Sequence, residues 1–335
     1  MKEDINYQEI AEKTGVSIST ISRILTGSAR VAEATSARVF EFFEKNNYDI
    51  TFLRSKKARS GGIIIFNVPS MINPFYSPIC GGARAAAQTY GYNLLINEEH
   101  ITGNTIDNLI NLIKRTRAAG LIITNSVPAL LLKKLAAAVP LVQCCEYDET
   151  IPLPYVSIDD IAASKIIMDY LFAHGKKNIV LMNGPIRYKY ARHRLQGYQE
   201  ALARAGIPAD PSLVFQLPEV SYDMAVSEAT RFLRRGGRPD AFFCVSDVYA
   251  AAVVKAGKRL GFSIPGDFIV VGFDNVEIAS MTHPALTTIN QPKHQLGVSS
   301  CELLVERINN PQAPVRSILL ETELIVRESS AERPE

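Results

Sequence analysis

The sequence predicts an α/β protein that has an N-terminal helix-turn-helix head and two doubly wound parallel-sheet lobes. Three observations support this class. Residues 1–46 contain only helical patterns, a basic stretch follows them, and short apolar strands alternate with helices from Gly61 onward. At 335 residues, of which 47% are hydrophobic and 21% charged, the chain is long enough to bury more than one core.

Two short helices and a turn open the chain. Residues 5–15 follow an amphipathic pattern, Gly15 supplies the turn, and residues 17–25 form a second helix. The Ser17 side chain can cap that helix by accepting a hydrogen bond from the N–H of residue 19 or 20. The pattern predicts a helix-turn-helix, and an ordinary two-helix packing unit is the alternative.

The exposed face of the second helix presents Ile18, Ser19, Ser22 and Arg23. Short polar groups, one apolar side chain and one arginine on a protruding helix can read base edges and phosphates in a major groove. This face therefore favours DNA binding.

A third helix, predicted from Val31 to Asn46, lets three helices close a minimal core. Residues 54–59 then carry four cations, which are Arg54, Lys56, Lys57 and Arg59. A charge run is usually a solvated face, but beside a helix-turn-helix it favours contact with a phosphate backbone. Residues 1–60 hold 10 Lys and Arg against 8 Asp and Glu, so the whole net charge of +2 lies at this end.

Several classes of protein are not supported by the sequence. No run of about 18 apolar residues predicts a membrane span, and residues 1–13 lack the apolar core of a signal peptide. We therefore expect a cytoplasmic protein with no membrane partner. The five cysteines show no zinc spacing and are expected to be buried, reduced thiols, and the five histidines are scattered. No metal site, catalytic site or cofactor is predicted.

Strands and helices alternate through the rest of the chain. The predicted strands are 62–66, 93–96, 120–123, 140–142, 178–182, 241–245 and 268–273. The predicted helices are 78–90, 104–118, 128–138, 159–174, 191–205, 222–235 and 247–261. This alternation forms two runs of roughly 100 residues each, which predicts two lobes with parallel sheets. Ligands bind outside the carboxyl ends of such strands, so a small-molecule site is expected in the cleft between the lobes.

Seven ordered motifs carry a family resemblance. Residues 10–25, IAEKTGVSISTISRIL, closely resemble the DNA-binding signature of the lactose-repressor (LacI/GalR) family of bacterial transcription factors. The match continues through NPFY at 73–76, RLQGY at 194–198, FCVSD at 243–247, IPGD at 264–267, GFDN at 272–275 and PALTTINQP at 284–292. The resemblance implies a fold whose two lobes are like those of periplasmic binding proteins.

The resemblance also implies a DNA-binding surface. Family members bind DNA as dimers, and positions that match Ile18, Ser19 and Arg23 face bases. Those that match Ser17, Thr20 and Arg30 lie near phosphates. Dimer symmetry then predicts a roughly palindromic operator.

The hinge departs from the family pattern. Relatives follow the tyrosine that matches Tyr48 with a Pro-Asn pair and then a segment whose leucine wedges into the minor groove. Here the chain is about two residues shorter, and Lys57 lies near the expected leucine. Either Leu53 or Phe52 substitutes as the wedge, or the hinge grips only phosphates.

The resemblance places Phe75, Arg194 and Asp274 at the ligand cleft. An arginine and a carboxylate can each bind a pair of hydroxyls, and an aromatic face stacks on a sugar ring or a base. For the acids at 159 and 247, capping of the helices they precede is the alternative. The plausible neighbours of the three cleft residues are Asp159, Asp160, Tyr188, Tyr190, Glu219, Ser246 and Asp247.

These observations predict an allosteric repressor. A sugar or a nucleoside in the cleft would change how two heads span one operator. The predicted domains are a head at 1–48, a hinge at 49–61, a two-lobed effector-binding and dimerisation domain at 62–328, and a polar tail at 329–335. A solute-binding protein of the periplasmic type shares the lobes but not the head. A nucleotide-dependent enzyme would need a phosphate-binding glycine motif, which residues 80–83 do not provide.

Overall fold

The structure is a computed structural model, which describes residues 7–17, 20–21, 24, 31–46 and 62–331. Within these residues, no helix is both long enough and apolar enough to span a bilayer. The predicted helix-forming residues Ile18, Ser19, Ser22, Arg23 and Leu25 lie outside the described part. The same holds for the remaining predicted DNA-contacting residues, Arg30, Leu53, Arg54, Lys56 and Lys57.

The head packs around a small apolar core. Its helices are α1 (Tyr7–Thr14) and α2 (Glu33–Lys45), and Thr20, Ile21 and Ile24 are helical between them. Gly15 takes a φ of +65°, a left-handed conformation that suits a glycine at the turn. The N–H of Thr20 donates to Ser17 Oγ at 3.2 Å, as the cap prediction requires. The buried core residues are Ile10, Val16, Ile21, Ile24, Val39 and Phe43.

The first lobe contains a six-stranded sheet. Its strands are β1 (Gly62–Val68), β2 (Tyr92–Glu98), β3 (Gly120–Ile123), β4 (Leu141–Cys144), β5 (Tyr155–Ile158) and β11 (Ser317–Leu320). Every neighbouring pair is parallel, in the order β11-β5-β4-β3-β1-β2. The helices that cover it are α3 (Tyr76–Thr89), α4 (Ile106–Thr116), α5 (Ala129–Ala138) and α11 (Lys293–Asn309). Two apolar clusters fill the two faces of the sheet, as a parallel sheet requires.

The second lobe has the same architecture. Its strands are β6 (Ile179–Asn183), β7 (Val214–Gln216), β8 (Ala241–Cys244), β9 (Ile269–Asp274), β10 (Thr287–Asn290) and β12 (Glu323–Ile325). Their order is β12-β10-β9-β8-β6-β7, and only the pairing of β12 with β10 is antiparallel. Its helices are α6 (Asp160–Ala173), α7 (Lys189–Arg204), α8 (Tyr222–Arg234), α9 (Asp247–Arg259) and α10 (Ile278–Met281).

The chain crosses between the lobes three times, after β5, β10 and β11. The sequence predicted two successive runs of strands and helices, and the structure adds a return to the first lobe after them. Helix α11 and strand β11 belong to the first lobe although they follow most of the second in sequence. Leu296, Leu303 and Leu304 of α11 complete the first lobe's core.

Two glycines allow α11 to pack directly on α3. A Cβ at Gly82 would meet the backbone carbonyl of His294, and a Cβ at Gly297 would meet that of Ile79. Backbone atoms cannot move aside as side chains can, so only glycine fits at these crossing points.

The end of the described chain is attached to the second lobe. Ser329 and Ser330 are buried, and the Ser329 carbonyl accepts a hydrogen bond from Val270 N at 3.0 Å. The polar tail predicted from residue 329 therefore does not begin there. Small serines can be buried because strand β9 and Thr287 supply their hydrogen-bond partners.

Candidate functional site

A cavity of about 570 Å³ lies where the carboxyl ends of both sheets face each other. Residues of both lobes line it, so its shape depends on the angle between them. Of the eight predicted ligand-binding residues, seven line this cavity: Phe75, Asp160, Tyr188, Tyr190, Arg194, Ser246 and Asp274.

Arg194 lies at the centre of the charged part of the cavity. Its Nε donates to Asp160 Oδ1 at 2.8 Å, and its Nη1 donates to the Val245 carbonyl at 2.6 Å. The guanidinium stacks 3.5 Å from the centre of the Phe273 ring, and Nη1 lies 3.6 Å from Asp274 Oδ1. These contacts fix a buried arginine with one edge near the cavity.

Asp160 is shared between two cations. Lys189 Nζ lies 2.6 Å from Asp160 Oδ2 and 3.0 Å from Ser157 Oγ. Burial raises the pKa of Asp160, but the charges of Lys189 and Arg194 outweigh it and hold this pKa below its ordinary value. Asp160 is therefore ionised and holds Arg194 in place.

Glu146 links the two lobes. It follows β4 in the first lobe, and its carboxylate accepts hydrogen bonds from Lys189 N at 2.7 Å and Tyr190 N at 3.1 Å. These are the first N–H groups of α7 in the second lobe, and Tyr188 at the N-cap position makes no capping bond of its own. Burial raises the pKa of Glu146, and Lys189 and the two N–H donors oppose that shift. The first lobe thus caps a helix of the second.

Asp274 closes the other side of Arg194. Its backbone has a φ of +102°, which an aspartate rarely adopts, and Gln291 Nε2 donates to its Oδ1 at 2.7 Å. Lys293 Nζ donates to its carbonyl oxygen. Burial raises its pKa to about 6, although Arg194 and Lys293 oppose the shift.

Asp247 does not reach the cavity. It is fully buried, and its carboxylate accepts hydrogen bonds from Val276 N at 2.8 Å and Thr288 Oγ1 at 2.7 Å. These bonds direct it away from the cleft and fix the turn that follows Asp274. It does not cap α9 either, because Ser246 accepts from Tyr249 N. Asp159, by contrast, does cap α6 by accepting from Ala162 N at 2.9 Å.

Aromatic side chains form the less polar part of the cavity. Phe75 meets Tyr76 edge to face at 5.4 Å, and its N–H donates to Asn73 Oδ1 in the predicted turn. Across the cleft, the rings of Tyr188 and Tyr190 stack at 5.6 Å. The Tyr190 hydroxyl is buried and has no hydrogen-bond partner within the described structure. A ligand could supply that partner.

The sequence did not identify Glu146, Lys189 or Gln291 as residues of this region, and it did not place Cys145 at the cavity wall. The hydrogen-bond partners of the first three lie 17 or more positions away in the chain, which no local pattern reveals. All five cysteines lie in the described residues and carry free thiols, as expected. Four are buried, whereas Cys145 is half-buried at the cavity wall, 3.6 Å from the sulfur of Cys144.

Comparison with known proteins gives consistent results. The model for bacterial regulatory proteins of the lacI family matches residues 6–49, and that for a periplasmic binding protein-like domain matches residues 168–330. The chain is 30% identical over 334 residues to the HTH-type transcriptional repressor CytR of Escherichia coli K12, covering 98% of this chain and 96% of that protein.

Solved structures agree with this result. A complex of the transcriptional regulator CelR with cellobiose is 26% identical, with a TM-score of 0.73, and covers 97% of this chain and 100% of that one. The lac repressor dimer bound to operator and the anti-inducer ONPF is 23% identical, with a TM-score of 0.75. The shared fold covers 98% of this chain and 100% of that chain. The chain belongs to the lacI family of bacterial regulatory proteins, which are DNA-binding regulators of transcription.

Proposed function

We propose that this chain is a homodimeric repressor whose affinity for a roughly palindromic operator is set by a sugar or a nucleoside bound between the lobes. The observation that carries the proposal is Arg194. It is buried at the cleft, held by Asp160, and flanked by Asp274 and aromatic rings. This arrangement is suited to a ring that bears hydroxyl groups.

Different residues of the cavity can contact different parts of such a ligand. Arg194 can donate to two hydroxyl oxygens, and the Asp274 carboxylate can accept from hydroxyl groups. Phe75, Tyr188 and Tyr190 offer faces for stacking on a sugar ring or a base. The transcriptional regulator CelR, a structural neighbour of this chain, was solved in complex with cellobiose, which is a sugar.

The ligand would act on DNA by changing the angle between the lobes. Because the cavity is lined from both sides, a ligand that touches both stabilises one arrangement over others. The hinge at 49–61 joins β1 of the first lobe to the head. A change in the angle between the lobes would therefore change the distance between the two heads of the dimer.

DNA contact is assigned to the head and the hinge. In this proposal Ile18, Ser19 and Arg23 face bases, and the cations of the hinge grip phosphates. We assign the head to residues 1–48 and the effector domain to residues from 62 onward. The remaining proposed contacts come from Ser17, Thr20, Ser22, Arg30, Leu53, Arg54, Lys56 and Lys57.

The cavity is proposed to bind its ligand without transforming it. Ser157 beside Lys189 resembles a nucleophile and a base, but Ser157 Oγ donates to the Cys145 carbonyl at 2.8 Å. Lys189 is ion-paired with Asp160 and donates a hydrogen bond to Ser157 Oγ rather than accepting one from it. Neither group is prepared for nucleophilic catalysis.

A thermal-shift screen against sugars and nucleosides tests the ligand, followed by gel shifts with duplexes from upstream of the gene. We expect one of these two classes of compound to raise the melting temperature of the protein and to change its affinity for the operator. Arg194→Ala should abolish the shift. Arg204→Ala, which changes an exposed arginine at the C-terminal end of the same helix, should keep it.

Arg194→Ala also removes a buried charge, so its own fold is checked by circular dichroism. Tyr188→Ala, at the cavity wall, provides a second test that leaves the ion pairs intact. A ligand whose shift survives both changes binds elsewhere, and the proposed site is then wrong. A folded chain that shifts no duplex, with or without ligand, contradicts the operator-binding part.

A further inference from the structure

A second concave surface lies on the second lobe and shares no lining residue with the cleft. It is a groove of about 540 Å³ between α8 and α9, which we call the arginine groove. Its lining residues are Asp223, Val226, Ser227, Thr230, Arg231, Arg234, Arg235 and Arg259.

Four guanidinium groups face this one groove. Arg231 pairs with Glu228, whereas no ion pair or hydrogen bond involves the side chains of Arg234, Arg235 or Arg259 in the described chain. Some exposed arginines elsewhere do have a carboxylate partner, for example Arg204 with Asp169. Like charges that converge without counter-charges repel one another, so an anion bound among these arginines would relieve that repulsion.

A favourable helix dipole is the ordinary explanation for cations at a helix C-terminus. It applies to each of them taken singly, because Arg231 and Arg234 lie in the last turn of α8, Arg235 is its C-cap residue, and Arg259 lies in the last turn of α9. It does not explain why two helices direct these groups into one groove. Nor does it explain why hydroxyls of Ser227 and Thr230 line the same groove.

The composition of the groove favours a phosphate group over an acidic protein. Protein interfaces are anchored by buried aromatic or aliphatic residues, and Val226 is the single apolar side chain in this lining. Guanidinium forks and hydroxyls together are the donors that phosphate oxygens prefer. The acid in the lining, Asp223, lies eleven residues before Arg234, or about 16 Å along the helix, so it leaves the basic end free.

We propose that the arginine groove binds a phosphorylated small molecule, such as a sugar phosphate or a nucleotide, at a site separate from the effector cleft. Arg234 and Arg235 are the principal phosphate-binding groups, with Arg231 and Arg259 beside them. The groove is confined to two helices of one lobe, and this extent suits a small molecule better than a nucleic-acid backbone.

Isothermal titration of the full chain with inorganic pyrophosphate tests the site. We expect one pyrophosphate per chain, with binding weakened about tenfold or more in the double variant Arg234→Gln, Arg235→Gln. The single variants Arg234→Gln and Arg238→Gln form the matched pair, because each removes one positive charge from the same lobe and only Arg234 belongs to the groove lining. Arg234→Gln should weaken binding, whereas the affinity of Arg238→Gln should stay within about twofold of the wild type.

Other outcomes overturn the proposal. Failure of pyrophosphate to bind at 10 mM would contradict the site, and equal binding to the double variant would place the ion elsewhere. Equal losses of pyrophosphate affinity in the double variant and in Arg238→Gln would indicate that binding depends on the overall positive charge of the surface rather than on a defined site. Competition by a hexaglutamate peptide, or a loss of nonspecific duplex binding confined to the double variant, would assign the groove to a protein or to a nucleic acid instead.

Discussion

Individual buried acids in this protein differ in what they stabilise. Asp160 has two cationic partners and a lowered pKa, whereas Asp247 has neutral donors only. Burial raises the pKa of Asp247 to about 8, and the neighbouring charge of Asp274 adds to the shift. The same residue type therefore anchors an arginine at one position and acts as a neutral hydrogen-bonding group at the other.

The raised pKa of Asp247 predicts a pH dependence of stability. Below pH 3.8, its ordinary pKa, the carboxyl is protonated in both the folded and the unfolded chain. Between there and about pH 8 the unfolded chain releases the proton and the folded chain keeps it. The free energy of unfolding then falls by up to about 1.4 kcal/mol per pH unit, and this contribution ends above the folded pKa.

Asp247→Asn should remove this slope. Protonation turns the Asp247 oxygen that accepts from Thr288 Oγ1 into a donor to that hydroxyl, and the amide nitrogen of asparagine can donate in the same way while the amide oxygen accepts from Val276 N. Urea unfolding at pH 5, 6, 7 and 8 should show a smaller loss of stability in the variant than in the wild type. Asp240→Asn, at a half-buried acid that accepts from two surface N–H groups, serves as a control. Parallel curves for the wild type and Asp247→Asn would show that Asp247 is ionised when folded.

At the level of elements, the first lobe supplies a cap to helix α7 through Glu146. Glu146→Ala should cost about 0.5–2 kcal/mol of unfolding free energy, because two N–H groups lose their acceptor. It should also lower the affinity for the proposed effector, since α7 carries Tyr190 and Arg194. Denaturation and ligand titration measure the two effects. Glu149→Ala, which removes an exposed acid from the same loop, should change neither. Equal behaviour of the two variants would mean that Glu146 does not hold the lobes.

The crossing of α3 and α11 depends on glycine at particular positions. Gly82→Ala would place its Cβ against the His294 carbonyl, and overpacking against backbone costs about 1–3 kcal/mol or more. At Gly81 a Cβ meets nothing within 4 Å, so Gly81→Ala should stabilise the helix by about 0.5–1 kcal/mol. Melting temperatures of the two neighbours should move in opposite directions. A shift of the same sign in both would refute the close contact.

The strands and helices of the lobes were largely predictable from sequence, and their assembly was not. Apolar runs such as residues 62–66 identify buried strands because parallel sheets are covered on both faces. Strands β5, β7, β10, β11 and β12 and helix α11 were missed. The five strands are only three or four residues long, and each contains at least one polar residue. Arg194 and Asp274 were predicted through the family resemblance. Glu146 was missed because its function comes from the N–H groups of residues 189 and 190, more than forty positions away.

At the level of the whole molecule, three crossings make the first lobe depend on residues at both ends of the effector domain. A fragment of residues 62–158 lacks α11 and β11, which provide Leu296, Leu303 and Leu304 to its core. We expect this fragment to be unfolded by circular dichroism and amide proton spectra. Residues 293–320, joined through a flexible linker, should restore a cooperative transition. A fragment that folds without them would show that the first lobe is independent.

The last prediction concerns the coupling between the cleft and the operator. If a ligand changes operator affinity by some factor, the operator must change ligand affinity by the same factor, because both paths close one thermodynamic cycle. We therefore expect ligand titrations with and without operator to differ by the ratio found in gel shifts with and without ligand. Glu146→Ala should reduce this ratio rather than abolish either binding event, since it loosens the link between the lobes and leaves the cleft arginine and the head intact. An unchanged ratio would mean that the signal from the cleft to the hinge does not pass through the contact between Glu146 and α7.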